Sequence, residues 1–344
     1  MQGRIEHKIQ TENKIQEMIS GMPEYMVKFY YYLNLKTHIT KLKYIENVMR
    51  FLKYYSNNDV YNLEIEDIRK ITSLTIEQYI ASISYYTVES KKEVKELSNA
   101  SKAAVYSSLS AFFDFLVIHN YIDISPFSNK QIRRPKIQEN DVVFLTVEEV
   151  QKVENAIIKG VGNKTAISKQ QNWKYRDYLL FRIPIVNGLR VTALSEININ
   201  DLDLQNKRIR VTEKGNITKY VFVDDKTCMF IEMWLEKRKE LLGAAYDKEQ
   251  ALFISNQKKR ITVRSIEYII QKYTDGIVDK HITPHKLRST CGTNLYQAKK
   301  DIYLVANVLG HKNTAPTRRY TKVFEHDKQD AISTMASLYD QKTS

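Results

Sequence analysis

The sequence predicts two domains, an all-helical first half and a mixed α/β second half, so that the chain is mainly α with one small β-sheet or hairpin. Three observations carry that prediction. The chain has 344 residues, more than one domain usually holds, with an ordinary globular composition of 43% hydrophobic and 27% charged residues. In the first half, apolar residues recur every three or four positions, which is the period of one helix face. Beyond residue 207 the period falls to two on either side of Glu213-Lys214-Gly215-Asn216, the pattern of a hairpin with its tip near Lys214.

Residues 1 to 20 read as an N-terminal extension, left open as a short helix or a disordered arm. Tyr25, Met26, Phe29 and Tyr30 place a helix between Met22 and Leu33, and Leu42, Ile45, Val48, Met49 and Leu52 place another from Thr40 to Tyr55. Thr75, with Gln78 three residues on, reads as a capping box for a helix through Tyr79, Ile80 and Ile83. Val105, Leu109, Phe112, Phe113 and Leu116 form one stripe from Ser101 to His119. These elements make a helical domain over residues 21 to 130. The periodicity then stops, and residues 131 to 144 read as a basic linker. Lys130, Arg133, Arg134 and Lys136 surround this stretch with Pro135, either as an ordinary connection or as a strap lying along a phosphate backbone.

The second domain, residues 145 to 325, opens at Thr146, whose capping box closes with Glu149 while Leu145 is placed to staple onto Val150. A helix from Trp173 to Asn187 ends at Gly188 and delivers Arg190. Arg208-Ile209-Arg210-Val211 and Tyr220-Val221-Phe222-Val223 are the two arms of the hairpin. Helices over Lys226–Leu241 and Thr262–Tyr273 flank a short strand, Ala251 to Ile254. Thr283 and Pro284 are N-cap and first residue of a further helix, and Asp301 to Leu309 form another that Gly310 stops. In the tail, residues 326 to 344, Ile332, Met335, Ala336 and Tyr339 share one face.

The net charge of +13, from 53 Lys+Arg against 40 Asp+Glu, favours a polyanionic partner. The two cysteines, Cys228 and Cys291, have no ligand or disulfide spacing, which argues against a zinc site or a disulfide framework. No run of about 18 apolar residues and no apolar N-terminal leader is present, so a cytoplasmic, nucleoid-associated protein without a membrane partner is expected. The sequons at Asn99, Asn163 and Asn216 are then chance matches. Gly160-Val161-Gly162-Asn163-Lys164-Thr165 lacks the spacing of a phosphate-binding loop.

The chemistry-bearing residues lie in the second half. His285 and Arg288, three apart, share the first turn of their helix, where free amides and the dipole suit a phosphate. His311 follows the Gly310 stop, and Tyr320 comes nine residues later. Each has an ordinary reading alone: a surface pair, a dipole partner, one more of 23 tyrosines. With Arg190 and Lys214 they supply a nucleophile, a general acid and several cations for one phosphate.

In order and spacing, Asn187-Gly188-Leu189-Arg190, Lys214-Gly215-Asn216, His285-Lys286-Leu287-Arg288, Leu309-Gly310-His311 and Arg319-Tyr320-Thr321 closely resemble the tyrosine recombinase (phage integrase) family, across the whole catalytic half. The helical half is similar, in architecture only, to that family's SAM-like core-DNA-binding domain. The resemblance implies a site-specific recombinase or integrase that forms a 3′-phosphotyrosine and requires no cofactor, metal or ATP, because the phosphotyrosine retains the energy of the broken bond. A phenol with a pKa of ~10 must lose its proton as it attacks. Arg190 and Arg288 are the permanently charged forks for the nonbridging oxygens, and His311 donates to the same oxygens. His285 aids the tyrosine proton, and Lys214 is the acid for the departing 5′ oxygen.

The implied partners are double-stranded DNA with paired core sites, further copies of the chain in a tetramer, and an accessory DNA-bending or directionality factor. The implied setting is integration or excision of a mobile element. Within the tetramer the C-terminal helix docks on a neighbouring protomer; packing on its own domain is the alternative. A relaxing topoisomerase or a telomere resolvase shares this chemistry, and a catalytically silent DNA-binding protein shares the scaffold. One position departs from the family pattern: the acid usual three residues after the first arginine is Ala193, and Glu196 is the nearest substitute.

Overall fold

In a computed structural model, the described residues are 2–88, 93–128, 132–137, 141–213, 217–311, 313–321 and 326–340. The chain divides into two units, Met1–Glu139 and Asn140–Ser344.

The first unit holds α1 (Gln2–Ile19), α2 (Glu24–Tyr32), α3 (His38–Tyr55), α4 (Ile65–Arg69), α5 (Ser73–Ser82), a two-stranded antiparallel pair β1 (Tyr85–Val88) and β2 (Glu93–Glu96), and α6 (Asn99–Ile118). Met26, Phe29, Val48, Phe51, Leu52, Leu109, Phe112, Phe113 and Leu116 from three helices, α2, α3 and α6, close one core, and each such side chain contributes roughly 1.5–3 kcal/mol. Ile15 and Ile19 of α1 belong to the same core, so the segment expected to be an extension is part of the unit. The capping box of α5 lies one turn earlier than the sequence suggested. Thr72 caps the helix and Thr75 completes the box, because the Thr72 hydroxyl accepts from the Thr75 amide at 3.3 Å. The β1–β2 pair, with Tyr85 opposite Glu96, was not foreseen. By length and composition α6 could cross a membrane, but its apolar residues are spent on the core of this unit.

The second unit begins with α7 (Val147–Lys159), whose Thr146–Glu149 capping box is formed as expected, and α8 (Lys164–Gln171). Next come α9 (Lys174–Asn187), α10 (Val191–Glu196) and a three-stranded antiparallel sheet, β3 (Leu202–Asp203), β4 (Arg208–Glu213) and β5 (Ile217–Phe222), in the order β3-β4-β5. Register pairs Arg208 with Phe222 and Glu213 with Ile217. The unit continues through α11 (Asp225–Leu242), α12 (Val263–Thr274), α13 (Pro284–Lys299), α14 (Ile302–Leu309) and α15 (His326–Asp340). Helix α9 is buried on nearly all sides, through Tyr178, Leu179, Leu180, Phe181 and Ile183, with α7, α11 and α13 packed around it.

The strand expected over Ala251 to Ile254 is not one. The four residues are fully buried, but only the isolated bridges Asn198–Ala251 and Ile254–Arg260 form. Side chains satisfy part of this buried backbone in place of a ladder: Arg238 Nε donates to the Ala251 carbonyl at 3.0 Å and Trp234 Nε1 to the Leu252 carbonyl at 2.9 Å. On α15, Ile332, Met335, Ala336 and Tyr339 are all exposed, so this face does not pack on its own domain.

Candidate active site

Gly188 places the first arginine. It ends α9 at φ +60°, and a Cβ there would come within 2.3 Å of Leu309, so only glycine lets the chain turn this close to α14. Arg190 follows as the N-cap of α10. Its Nη1 donates to Glu213 Oε2 at the end of β4, and Lys219 of β5 lies 3.1 Å from the other oxygen of that carboxylate. An acid bound to Arg190 is therefore Glu213, on a strand, whereas the spacing had pointed to Glu196, the half-buried last residue of α10.

Arg288, on the first turns of α13, is 3% exposed. Its Nη1 donates to the Gly188 carbonyl at 2.6 Å and its Nη2 to the Leu309 carbonyl, so one guanidinium braces the C-termini of α9 and α14. Past Leu309, Gly310 in the left-handed region turns the chain and His311 emerges. The His311 Nδ1 pairs with the Thr317 hydroxyl at 2.8 Å, leaving Nε2 for the site.

Tyr320 ends a 3₁₀ turn, Ala315–Tyr320, and is 1% exposed. Its ring packs with Cys291, Val305 and Leu309 and lies flat over Gly292, where a built Cβ would stand 2.8–3.0 Å from three ring carbons. Arg319 Nη2 donates to the Tyr320 hydroxyl at 3.1 Å and to the Ser289 hydroxyl at 3.2 Å, and also lies 3.2 Å from His285 Nε2. Guanidinium nitrogens only donate, so that contact has His285 accepting at Nε2, as a neutral ring.

The histidines report how tightly these cations converge. Burial, then the charges of Arg288, Arg190 and Arg319, pull His311 down to about 4, with Glu213 opposing. Burial, then Arg319, Arg288, Lys286 and Arg190, also lower His285. Both rings are thus neutral near pH 7. Because the unfolded chain takes up these protons near pH 6.5 and the folded one only at lower pH, stability is held above 6.5 and lost as pH falls toward 4. Urea midpoints of the free protein should therefore drop over that window, and His311→Gln should flatten the drop; an unchanged slope in the variant would assign it to other groups.

The structure brings Arg190, His285, Arg288, His311 and Tyr320 together and adds two residues the sequence reading missed. Glu213 had a signal, since period two places it on the inward face of β4 with Ile209 and Val211, where a charge needs a partner. Arg319 had none beyond its place beside Tyr320. Lys214 lies outside the described residues, between the ends of β4 and β5, and so does Lys130. Arg133, Arg134 and Lys136 are exposed in the first unit. Among the described residues no group of three or more His, Cys, Asp or Glu could hold a metal ion.

The seat over Gly292 gives a sharp expectation. Gly292→Ala should push the phenol ring aside, cost roughly 1–3 kcal/mol of stability by overpacking, and slow any reaction of Tyr320 about 100-fold through a misplacement near 1 Å. Thermal midpoint and reaction rate on one preparation check both; a rate within twofold of wild type would mean the ring does not react from this seat.

The Phage integrase family model matches residues 144–326 of the chain. A tyrosine recombinase of Pseudothermotoga lettingae is 29% identical over 296 residues, covering 86% of this chain and 91% of that protein. Tyrosine recombinase XerC of Proteus mirabilis is 30% identical over 249 residues, covering 71% and 72%. Among solved structures, XerH site-specific recombinase bound to palindromic difH substrate, in a post-cleavage complex, shares the fold with a TM-score of 0.64 at 19% identity, covering 86% of this chain and 80% of that one.

Proposed function

Because the chain belongs to the phage integrase family and is a tyrosine recombinase, a DNA strand-transferring enzyme, we propose that Tyr320 is its nucleophile and that the cations around it hold the scissile phosphate. The observation that carries this assignment is that Arg190, Arg288 and Arg319 gather around His285 and His311, with Arg319 on the Tyr320 hydroxyl and Arg288 within electrostatic reach of it.

In the proposed step the Tyr320 oxygen attacks phosphorus, the bond to the 5′ oxygen breaks, and a 3′-phosphotyrosine remains on the protein. Arg190 and Arg288 offer N–H groups to the nonbridging oxygens as charge accumulates there. Neutral His311 is assigned the tautomer in which Nδ1 accepts from the Thr317 hydroxyl, so that Nε2–H donates to the same oxygens. The His285 Nε2 lone pair suits acceptance of the phenol proton once Arg319 turns from it toward the phosphate. Lys214 is assigned the proton for the leaving 5′ oxygen. A second 5′ hydroxyl then reverses the step on a new partner, which exchanges strands.

The binding-only alternative rested on Ala193, and the carboxylate of Glu213 on Arg190 weighs against it. The wider reading is double-stranded DNA with paired core sites, gripped by both units with Arg133, Arg134 and Lys136 on phosphates, in integration or excision of a mobile element. Assembly is proposed as a tetramer in which the exposed face of α15 docks on a neighbour. The test is covalent capture: the protein is incubated with a randomised pool of nicked duplexes, so that cleavage near the nick releases a short strand and traps the adduct. An SDS-resistant complex whose DNA-linked peptide contains Tyr320 is expected; no adduct, or linkage to another residue, sinks the proposal.

A further inference from the structure

Resting on the reading that Arg190 grips the phosphate, we propose that Glu213 is a positioning residue, which seats the Arg190 guanidinium and makes that seating depend on the docked β4–β5 hairpin.

Arg190 sits at the start of a six-residue helix with its side chain 36% exposed, so its own element does little to fix the long, flexible stem. Glu213 supplies what the helix does not. Its side chain is 9% exposed, and one carboxylate oxygen accepts from Arg190 Nη1 while the other faces Lys219 Nζ at 3.1 Å. The backbone turn that delivers His311 closes the third side, since a Cβ on Gly310 would stand 3.1 Å from Glu213 Oε2 and 3.0 Å from Lys219 Nζ. A carboxylate this buried is tolerated only with cations against it, and here two cations and a rigid turn define where it lies.

The bond is made through one Nη1, while the fork has five N–H donors, so donors remain for a phosphate oxygen. Position 193, one turn along α10 from the arginine, is a buried alanine. The carboxylate therefore comes from a neighbouring strand, and Arg190 is aimed only while that strand is in register with Lys219 across from it. Glu213 is also the last described residue before Lys214, so the same strand governs the placement of the arginine and leads to the lysine.

The test uses the full chain and a nicked duplex recovered from the randomised pool by capture on wild-type protein. Adduct rates are compared for wild type, Glu213→Gln, Arg190→Lys and the double variant, with duplex affinity and thermal midpoint measured beside them. Loss of one aimed donor costs about 10²–10³ in rate, so loosening one through its partner should cost about tenfold or more. Glu213→Gln is expected to show that loss with unchanged duplex affinity, and to add little in the Arg190→Lys background, because it acts through Arg190. A Glu213→Gln rate within twofold of wild type overturns the proposal, as does a loss that multiplies in full on Arg190→Lys, which a merely structural role would give. Should Glu213→Gln not fold, Glu213→Asp keeps the charge, withdraws it by one methylene and is read by the same criteria. Wild-type adduct on Tyr320 is the separate control: its absence sinks the nucleophile reading, whereas its persistence with an indifferent Glu213 sinks only this one.

Discussion

Tyr320→Phe is expected to bind the captured duplex as wild type does and to form no covalent adduct at all. The substitution removes one oxygen from a ring whose packing against Cys291, Val305 and Leu309 and over Gly292 is untouched. Arg319 loses one acceptor and keeps the Ser289 hydroxyl and His285 Nε2, so the cost to the fold is limited to about 1 kcal/mol for a single hydrogen bond. The cost to the reaction follows from the proposed role of that oxygen as the nucleophile, since loss of a nucleophile suppresses turnover by about 10⁶ even where neighbouring groups persist. Gel-resolved adducts and a mobility-shift titration on one preparation separate the two effects. A residual adduct would move the nucleophile elsewhere, and a collapse of affinity would make the phenol a DNA-binding group.

Much of this site was legible because its residues are announced by local rules. Gly188 and Gly310 read as helix stops, and each does hold a left-handed turn that throws Arg190 or His311 toward the cationic cluster. The Thr146–Glu149 box is set within four residues and was placed correctly for that reason. At Thr72 the same rule slipped, since Thr72-x-x-Thr75 competes with Thr75-x-x-Gln78 and only the structure chooses. The run Ala251 to Ile254 is apolar enough for a strand, but its carbonyls are taken by Arg238 and Trp234, a decision made by a helix about 13 to 18 residues away. Glu213 was missed for a similar reason: it pairs with an arginine 23 residues distant, and spacing along the chain suggested Glu196 instead.

Arg288→Lys is expected to fail on two counts at once, rate and stability, although it preserves the charge. Arg288 is nearly fully buried and spans two carbonyls, Gly188 O and Leu309 O, that belong to different helices. A single ammonium is a compact point charge and cannot reach both with the geometry of a planar fork. Leaving either carbonyl without a donor costs about 1–3 kcal/mol, and the cost falls at the two turns that deliver Arg190 and His311. The adduct rate should drop by about 10²–10³, the loss of one preorganised donor, with a further fall if the turns drift. The neutral counterpart, Arg288→Met, isolates the electrostatic part. Arg288 is the first charge after burial in holding His311 down to about 4, so removing it should move the His311 ring titration upward toward 6.5. Proton NMR of the ring in both variants decides between the two contributions. If Arg288→Lys keeps a wild-type midpoint and a rate within threefold, the bracing of the two helix ends is not what the site depends on; if His311 does not move in Arg288→Met, the two groups do not share one pocket.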